Sequence, residues 1–144
     1  MRVVLDTNVV VSALLWSGVP RRLLRTLAES DVLLFSSTSL LAELTDVLSR
    51  AKFEKRIALL HSTSEEFVDL YAGCVLIVRP ISVPRLAPDP DDDLVIGTAL
   101  AAEAALIVTG DKPLLSVGTC EGGRIVTVRE AIEIIALDSF RESN

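Results

Sequence analysis

Five short apolar runs, separated by segments of helical character, constrain the fold of this chain more than any other feature of its sequence. The runs Val3-Val4-Leu5 and Leu106-Ile107-Val108 are rich in β-branched residues, and every run lies next to a segment with helical periodicity. Strands that alternate with helices predict an α/β fold with a parallel sheet. Because the runs are apolar almost throughout, we expect helices to cover both faces of that sheet. The predicted strands are Arg2–Leu5, Val32–Phe35, Val75–Val78, Ala105–Val108 and Ile125–Val128.

The helices predicted between these strands follow from capping and helix-breaking residues. Asn8 can cap the first helix, and Gly18-Val19-Pro20 separates it from the second. Four of the six prolines lie between Pro80 and Pro90, which predicts an irregular connection. Neither side of this connection supplies a complete sheet, so residues 1–144 are interpreted as one domain. The predicted helices are Asn8–Trp16, Arg21–Ser30, one that follows Ser36-Ser37 and carries Leu40 to Leu48, Ile57–Leu60, Ser64–Tyr71, Asp91–Ala104, Pro113–Leu115 and Arg129–Leu137.

Length, charge and cysteine content narrow the functions open to this chain. At 144 residues it is long enough to bury a core without disulfides. Its net charge of −6 argues against a protein that coats nucleic acid, although acids gathered around a cation are compatible with a nucleic-acid enzyme. No run reaches the roughly 20 apolar residues of a membrane span, so we expect a cytoplasmic protein without membrane contact. Cys74 and Cys120 lack CxxC spacing and are predicted to be reduced, mostly buried thiols.

Acids at the edges of apolar segments predict a metal site. The run Val3-Val4-Leu5 ends in Asp6, and the run Leu106-Ile107-Val108 ends in Thr109-Gly110-Asp111. Ligands of open parallel sheets bind outside the carboxyl ends of strands, so these two acids are expected at one crevice. Glu43 lies in the helical row Leu40, Glu43, Val47, which belongs to an apolar stripe. Mg²⁺ and Mn²⁺ prefer carboxylate oxygens and water, and such a site can activate water for attack on a phosphodiester.

Each of these acidic motifs also has an interpretation without a ligand. Asp6-Thr7-Asn8 and Thr109-Gly110-Asp111 are typical of helix entries, and Glu43 could simply reach water from the edge of its stripe. The run Asp89-Pro90-Asp91-Asp92-Asp93 is typical of an acidic first helical turn. Four acids in five residues nevertheless repel one another, which a cation would relieve. Within the run Asp93 is favoured, because Ile96, Gly97 and Leu100 place its helical face toward the sheet.

Four segments of the sequence resemble, in order, the PIN domain family, and within it the VapC-like toxin components of toxin–antitoxin systems. They are Val4 to Val9, Ser39 to Leu44, Asp89 to Asp93 and Ile107 to Lys112. The resemblance implies a three-layer α/β/α sandwich with a central parallel sheet and an RNA nuclease that depends on Mg²⁺ or Mn²⁺. It also implies an antitoxin partner and a homodimer. Carried onto this chain, the metal-binding acids are Asp6, Glu43, Asp93 and Asp111, with Asn8 and Thr109 as supporting polar residues and Asp92 as a fifth candidate.

Two basic clusters are candidates for contacts with RNA phosphates, although such clusters are also typical of solvated helix faces. They comprise Arg21, Arg22 and Arg25, and Arg50 and Lys52 with Lys55 and Arg56. Aromatic residues make up only 4% of the chain, which argues against extensive base stacking. Trp16 is predicted to lie in the core.

Three other classes of protein share part of this pattern. Haloacid-dehalogenase-like phosphatases carry an aspartate two residues after the first one, where this chain has Asn8. Response-regulator receivers offer no role for Glu43 and need an acidic pair near the first strand. An inert PIN-like interaction module is the alternative that is not an enzyme, and the presence of all four acids argues against it.

Overall fold

The strands and helices assemble into one mixed sheet with helices on both of its faces. The structure is a computed structural model that describes residues 1–82 and 90–143. The strands are β1 (Arg2–Leu5), β2 (Leu33–Ser36), β3 (Leu76–Ile77), β4 (Leu106–Val108), β5 (Thr119–Cys120) and β6 (Gly123–Val126). The helices are α1 (Thr7–Leu15), α2 (Val19–Ala28), α3 (Thr38–Leu48), α4 (Ala51–Leu59), α5 (Ser64–Ala72), α6 (Pro90–Ala102), α7 (Lys112–Val117) and α8 (Val128–Ser143).

The sheet has the strand order β3-β2-β1-β4-β6-β5. Neighbouring strands are parallel except for β5, which pairs antiparallel with β6. The predicted α/β fold with helices on both faces of a parallel sheet is therefore confirmed. The antiparallel strand β5 was not predicted, because its two residues are too few to show a periodicity.

Residues of the strands divide between two cores, one on each face of the sheet. Val3, Leu5, Leu106 and Val108 belong to the larger core, which also contains buried residues of α1, α2, α3, α5 and α8. Val4 and Ile107 point to the other face, where they pack with α6 and with Leu114 of α7. This alternation follows from the two-residue repeat of a strand. It explains why the central strands β1 and β4 are apolar almost throughout, since Val3 to Leu5 and Leu106 to Val108 are covered from one face or the other.

Several sequence predictions need correction at the level of single residues. The first helix begins at Thr7 with Asp6 as its cap, not at Asn8, because Asp6 has extended backbone angles and its carboxylate accepts a hydrogen bond from Thr7 N. Helix α4 begins at Ala51, so the charged segment before Ile57 is helical. Trp16 is 42% exposed and packs edge-on against Phe53 at the surface. Cys74 is exposed and Cys120 is half-buried, so the prediction of buried thiols was wrong.

Other expectations about the chain are met or lie outside the described residues. Asp111 caps α7, as the sequence predicts. Most of the predicted connection between Pro80 and Pro90 falls in residues 83–89, outside the described ranges. None of the helices in residues 1–82 and 90–143 combines the length and the apolar character that a membrane crossing requires.

Candidate metal centre

The strand order reverses between β1 and β4, and this reversal creates a crevice at the carboxyl ends of the two strands. Strand β2, which is the next strand in the chain, pairs with one edge of β1, whereas β4 pairs with its other edge. Leu5 is paired with Val108, and the amide of Asp6 donates to the carbonyl oxygen of Val108 at 2.9 Å. The hydrogen bonding between β1 and β4 thus continues one residue beyond the end of β1, and this brings Asp6 next to Thr109. In open α/β sheets a reversal of this kind is where ligands bind.

Asp6 is a buried carboxylate held by two hydrogen bonds. The residue is only 5% exposed to solvent. Oδ1 accepts from the backbone amide of Thr7 at 2.8 Å, and Oδ2 accepts from the hydroxyl of Thr109 at 2.7 Å. Both contacts favour the ionised form of a carboxylate, and they fix its orientation. Oxygens of a carboxylate fixed in this way are of the kind that Mg²⁺ prefers as ligands.

Thr109 joins Asp6 to Asp111. It is fully buried, and its hydroxyl donates to Asp6 while accepting from the backbone amide of Asp111 at 3.0 Å. Asp111 in turn accepts at Oδ2 from the amide of Leu114 at 3.2 Å, which caps α7. One threonine therefore sets the positions of two acids from distant parts of the sequence. We call Asp6, Thr109 and Asp111 the strand-end half of the site.

Glu43 and Asp93 lie on helices, and we call them the helix-borne half. Glu43 is half-buried on α3, and its Oε2 atom is inaccessible to solvent. Leu40, Leu44 and Val47 on the same helix are buried, in agreement with the predicted apolar stripe. Asp93 is half-buried in the first turns of α6. It lines an open depression together with Ile81, Ser82 and Leu94.

A buried hydrogen bond joins the helices that carry Glu43 and Asp93. The hydroxyls of Ser37 and Thr98 are 3.1 Å apart, and both residues are fully buried. Ser37 also accepts from the amide of Leu40, whereas Thr98 donates to the carbonyl oxygen of Leu94. Because the Thr98 proton is used in that second bond, Ser37 is the donor to Thr98. The bond therefore ties the beginning of α3 to the third turn of α6.

Ser37 and Thr98 were not identified as functional candidates from the sequence. Ser37 showed only the signal of a helix cap, and Thr98 lies within the apolar run that follows Leu94. Nothing local indicates that two hydroxyls separated by 61 positions would meet. Gly97 makes a related contribution, since a Cβ atom there would overlap the carbonyl oxygen of Ile81. The glycine allows the chain at Ile81 to pack directly on α6, beside Asp93.

The chemistry of these donors fits a hard divalent cation. The candidates are carboxylates, without a thiol or an imidazole among them, and oxygen donors are what Mg²⁺ and Mn²⁺ prefer. Among the side chains that the structure describes, no three acidic, histidine or cysteine residues are grouped closely enough to hold a metal ion by themselves. Mg²⁺ commonly keeps several waters and takes only one or two carboxylates directly, which suits the strand-end half. The side chain of Asp92 lies outside the described residues.

The remaining candidates occupy the surface. Asn8 is exposed in the first turn of α1, and Arg22 and Arg25 are exposed on α2. Arg21 donates to the carbonyl oxygens of Ala13 and Leu14 at the carboxyl end of α1. Arg50 pairs with Asp46 at 3.6 Å, and Lys52 lies over the ring of Phe53. Contacts of these basic residues with RNA stay a prediction.

Comparison with known proteins agrees with this architecture. The chain is similar in structure to a chain of VapBC2 from Rickettsia felis, crystallised bound to a DNA fragment from their promoter. The TM-score is 0.62 at 17% sequence identity, and the match covers 88% of this chain and 98% of that chain. At this identity the likeness shows the fold alone. No match was found among curated proteins. The family model of the PIN domain matches residues 2–113, which is most of the chain, and this protein belongs to the PIN domain family.

Proposed function

We propose that this protein is an endoribonuclease that depends on Mg²⁺ or Mn²⁺ and serves as the toxin component of a toxin–antitoxin pair. The observation that carries the proposal is the strand-end half, in which the Thr109 hydroxyl joins the carboxylate of Asp6 to the backbone amide of Asp111 at the strand-order reversal. The chain belongs to a family whose members are typically metal-dependent nucleases. Acids held at this crevice supply what such chemistry needs, namely anionic oxygens in fixed positions.

Each acid has a stated role in this proposal. Asp6 and Asp111 hold the cation, and Thr109 orients the carboxylate of Asp6 and the backbone of Asp111. Glu43 and Asp93 complete the site from the helices, and the neighbouring Asp92 is an additional candidate. When bound, the cation supplies a water activated for attack on phosphorus and offsets the charge of the phosphodiester. Asn8 is exposed beside Asp6, where it is positioned to contact a water or an RNA phosphate.

RNA is proposed to bind through its backbone. Arg22, Arg25 and Lys52 are exposed and can reach phosphates, whereas Arg21 keeps spare guanidinium donors beyond its two contacts with α1. Arg50 is exposed, and its ion pair with Asp46 is of the weak surface type. The net charge of −6 makes such local clusters, not the whole surface, responsible for holding RNA.

An antitoxin protein is the proposed partner, and a homodimer is the proposed assembly of the free chain. The fold is shared with a chain from the VapBC2 complex of Rickettsia felis, which supports this proposal at the level of architecture. Action on RNA alongside an antitoxin would take place in the cytoplasm. Coexpression with the product of an adjacent small gene, followed by copurification, tests the partner independently of the nuclease.

The activity is tested by cleavage of a structured RNA at neutral pH with Mg²⁺, with Mn²⁺ and with an excess of chelator. We expect cleavage with either metal, none with the chelator, and products that carry 5′-phosphate and 3′-hydroxyl ends. Asp6→Asn should abolish cleavage, because the neutral amide keeps the size of the side chain but removes the anionic ligand. Asp46→Asn is the matched control, since Asp46 is an exposed aspartate that pairs with Arg50.

Two outcomes would reject the nuclease. The first is undiminished cleavage by folded Asp6→Asn protein, which would indicate a contaminating enzyme or a different site. The second is an absence of metal-dependent cleavage by the folded wild-type protein on several RNAs, with or without its partner, which would favour an inert interaction module. Release of phosphate from a small phosphomonoester would instead indicate a phosphatase.

A further inference from the structure

A second concave site is separate from the candidate metal centre. We call it the α2–α5 cleft, because its walls come from α2 and α5, with floor residues from α1 and β2. Its volume is about 480 Å³, and none of the candidate metal-binding acids lines it. Cavities of roughly 300–1,000 Å³ are typical of sites for small ligands. The cleft is therefore large enough for a ligand of about a dozen heavy atoms.

Most of the lining of the cleft is apolar. Leu14, Leu27 and Leu34 are buried and form its floor, and Leu24 and Leu70 stand at its sides. Leu70 is 60% exposed, so the rim of the cleft also presents apolar surface to solvent. A ligand that fills this cleft gains most by presenting an apolar body to these leucines.

Tyr71 introduces a polar group into this apolar lining. The residue is only 4% exposed, yet its hydroxyl oxygen is buried and forms no hydrogen bond with any residue that the structure describes. Buried hydroxyls normally have a partner, and this one lies beneath the accessible lining of the cleft without a partner among the described residues. Burial, with a smaller contribution from Cys74, raises the pKa of Tyr71. The phenol therefore stays protonated at neutral pH and can donate.

Two arginines on α2 give the cleft a positive charge. Arg25 is exposed, lines the cleft and forms no ion pair within the described ranges. Arg21 also lines the cleft, and its guanidinium is fixed by bonds of 3.1 Å and 2.8 Å to carbonyl oxygens of α1. Those bonds use two of the five guanidinium N–H groups, which leaves others for an anion. No acidic side chain lines the cleft to compete for them.

From these observations we infer that the α2–α5 cleft binds a small organic anion with an apolar body, of the medium-chain carboxylate class. The hydrocarbon chain lies on the leucine lining, and the carboxylate is bound by Arg25 and Arg21. The apolar lining disfavours a bare phosphate or an RNA backbone, because neither would cover the leucines. The positive charge selects the carboxylate over an alcohol or an amine of the same length.

Titration of the full-length protein with decanoate, followed by calorimetry, tests this inference. We expect saturable binding at a single site per chain, with decanol weaker and decylamine without measurable binding. Arg25→Gln should weaken decanoate binding by about tenfold, the effect of losing one charge-assisted contact. Arg22→Gln is the matched control, because Arg22 is exposed on the same helix but does not line the cleft. Tyr71→Phe removes only a hydroxyl that is not accessible from the cleft, and it should leave decanoate binding unchanged.

Several results would overturn the inference. One is an absence of saturable decanoate binding by folded wild-type protein, and another is an equal loss in Arg22→Gln and Arg25→Gln. A third is a decanoate affinity that decreases as the protein concentration is raised, together with sedimentation that shows a dimer. These two results would assign the cleft to a second copy of the chain. The measurement involves neither metal nor RNA, so its outcome is independent of the proposed nuclease. Thermal unfolding of each variant verifies that it is folded.

Discussion

The two halves of the candidate metal centre differ in what fixes their carboxylates. In the strand-end half, parallel pairing of β1 with β4 brings Asp6 and Thr109 together, and one threonine then bonds to both acids. In the helix-borne half, Glu43 and Asp93 depend on how α3 and α6 pack, with Ser37 and Thr98 as a bond between the helices. Sheet pairing determines the first half directly. The second half is determined only through side-chain packing, which is easier to change by a single substitution.

This difference suggests a division of labour between the halves. The ligands of the strand-end half are already fixed before a cation binds. The entropy that the protein would lose on binding a cation is therefore smaller. If the proposed site binds metal and RNA, the helix-borne half is expected to adjust more than the strand-end half, because its acids lie on helices whose relative position depends on side-chain packing. Substitutions in the first half are therefore expected to act on whether cleavage occurs. Substitutions in the second are expected to act more on how much metal is required.

After Asp6→Asn, the largest effect is expected from Asp111→Asn. Asparagine caps a helix as well as aspartate does, so α7 should remain intact and the free energy of unfolding should change by less than about 1 kcal/mol. The anionic ligand is lost, and cleavage at saturating Mn²⁺ should fall by more than about 100-fold, beyond the range typical of residues that only support a ligand. Single-turnover cleavage and urea unfolding measure the two effects separately. A folded variant with nearly normal cleavage would exclude Asp111 as a ligand.

A smaller loss is expected from Glu43→Gln. If the helix-borne half adjusts around the metal, cleavage at low Mn²⁺ should fall by about 10–100-fold and should recover in part as Mn²⁺ is raised. Glu54→Gln is the matched control, because Glu54 is exposed on α4 and remote from the strand ends in sequence. A loss that is identical at all metal concentrations would show that Glu43 is as indispensable as Asp6. The comparison between the halves would then fail.

The strand-end half was largely predictable from the sequence, because its geometry follows from where two apolar runs end. Runs of β-branched residues predict strands, parallel strands end at one edge, and Asp6 and Thr109 directly follow two such ends. The PIN resemblance is confirmed, and two of its four motifs lie at the ends of these strands. The identity of the cap was wrong by two residues, because Asp6 and Asn8 are both good capping residues and local sequence does not rank them.

The helix-borne half and the surface were less predictable. A helical stripe indicated that Glu43 faces the core, but no local signal pairs Ser37 with Thr98. The preference for Asp93 over Asp92 stays a prediction. Trp16 was assigned to the core on hydrophobicity alone, whereas in the structure Arg56 lies over its ring and Phe53 packs at its edge. Contacts of this kind depend on tertiary packing between helices, which periodicity does not determine.

Thr109→Val tests whether the strand-end half depends on a hydroxyl or only on the sheet. The substitution keeps the shape of the side chain but removes the donor to Asp6 and the acceptor for the amide of Asp111. We expect a loss of about 1–3 kcal/mol in the free energy of unfolding, because two buried polar groups lose a partner. Cleavage should fall by about tenfold, as is typical when a residue that orients a ligand is removed. Thr109→Ser, which retains the hydroxyl, should keep most of the stability and most of the cleavage activity.

The smallest effect is expected from Thr98→Val, which removes the bond between α3 and α6. Ser37 would lose the acceptor of its proton, so the free energy of unfolding should fall by about 1 kcal/mol. If the bond positions the helix-borne half, the Mn²⁺ concentration for half-maximal cleavage should rise by about threefold, less than for residues that contact a ligand directly, while the rate at saturating metal is unchanged. Thr98→Ser should restore the metal requirement, since it returns the hydroxyl without the methyl group. A change in stability alone, with an unaltered metal requirement, would make the bond structural and leave packing of α3 on α6 as the only determinant of the helix-borne half.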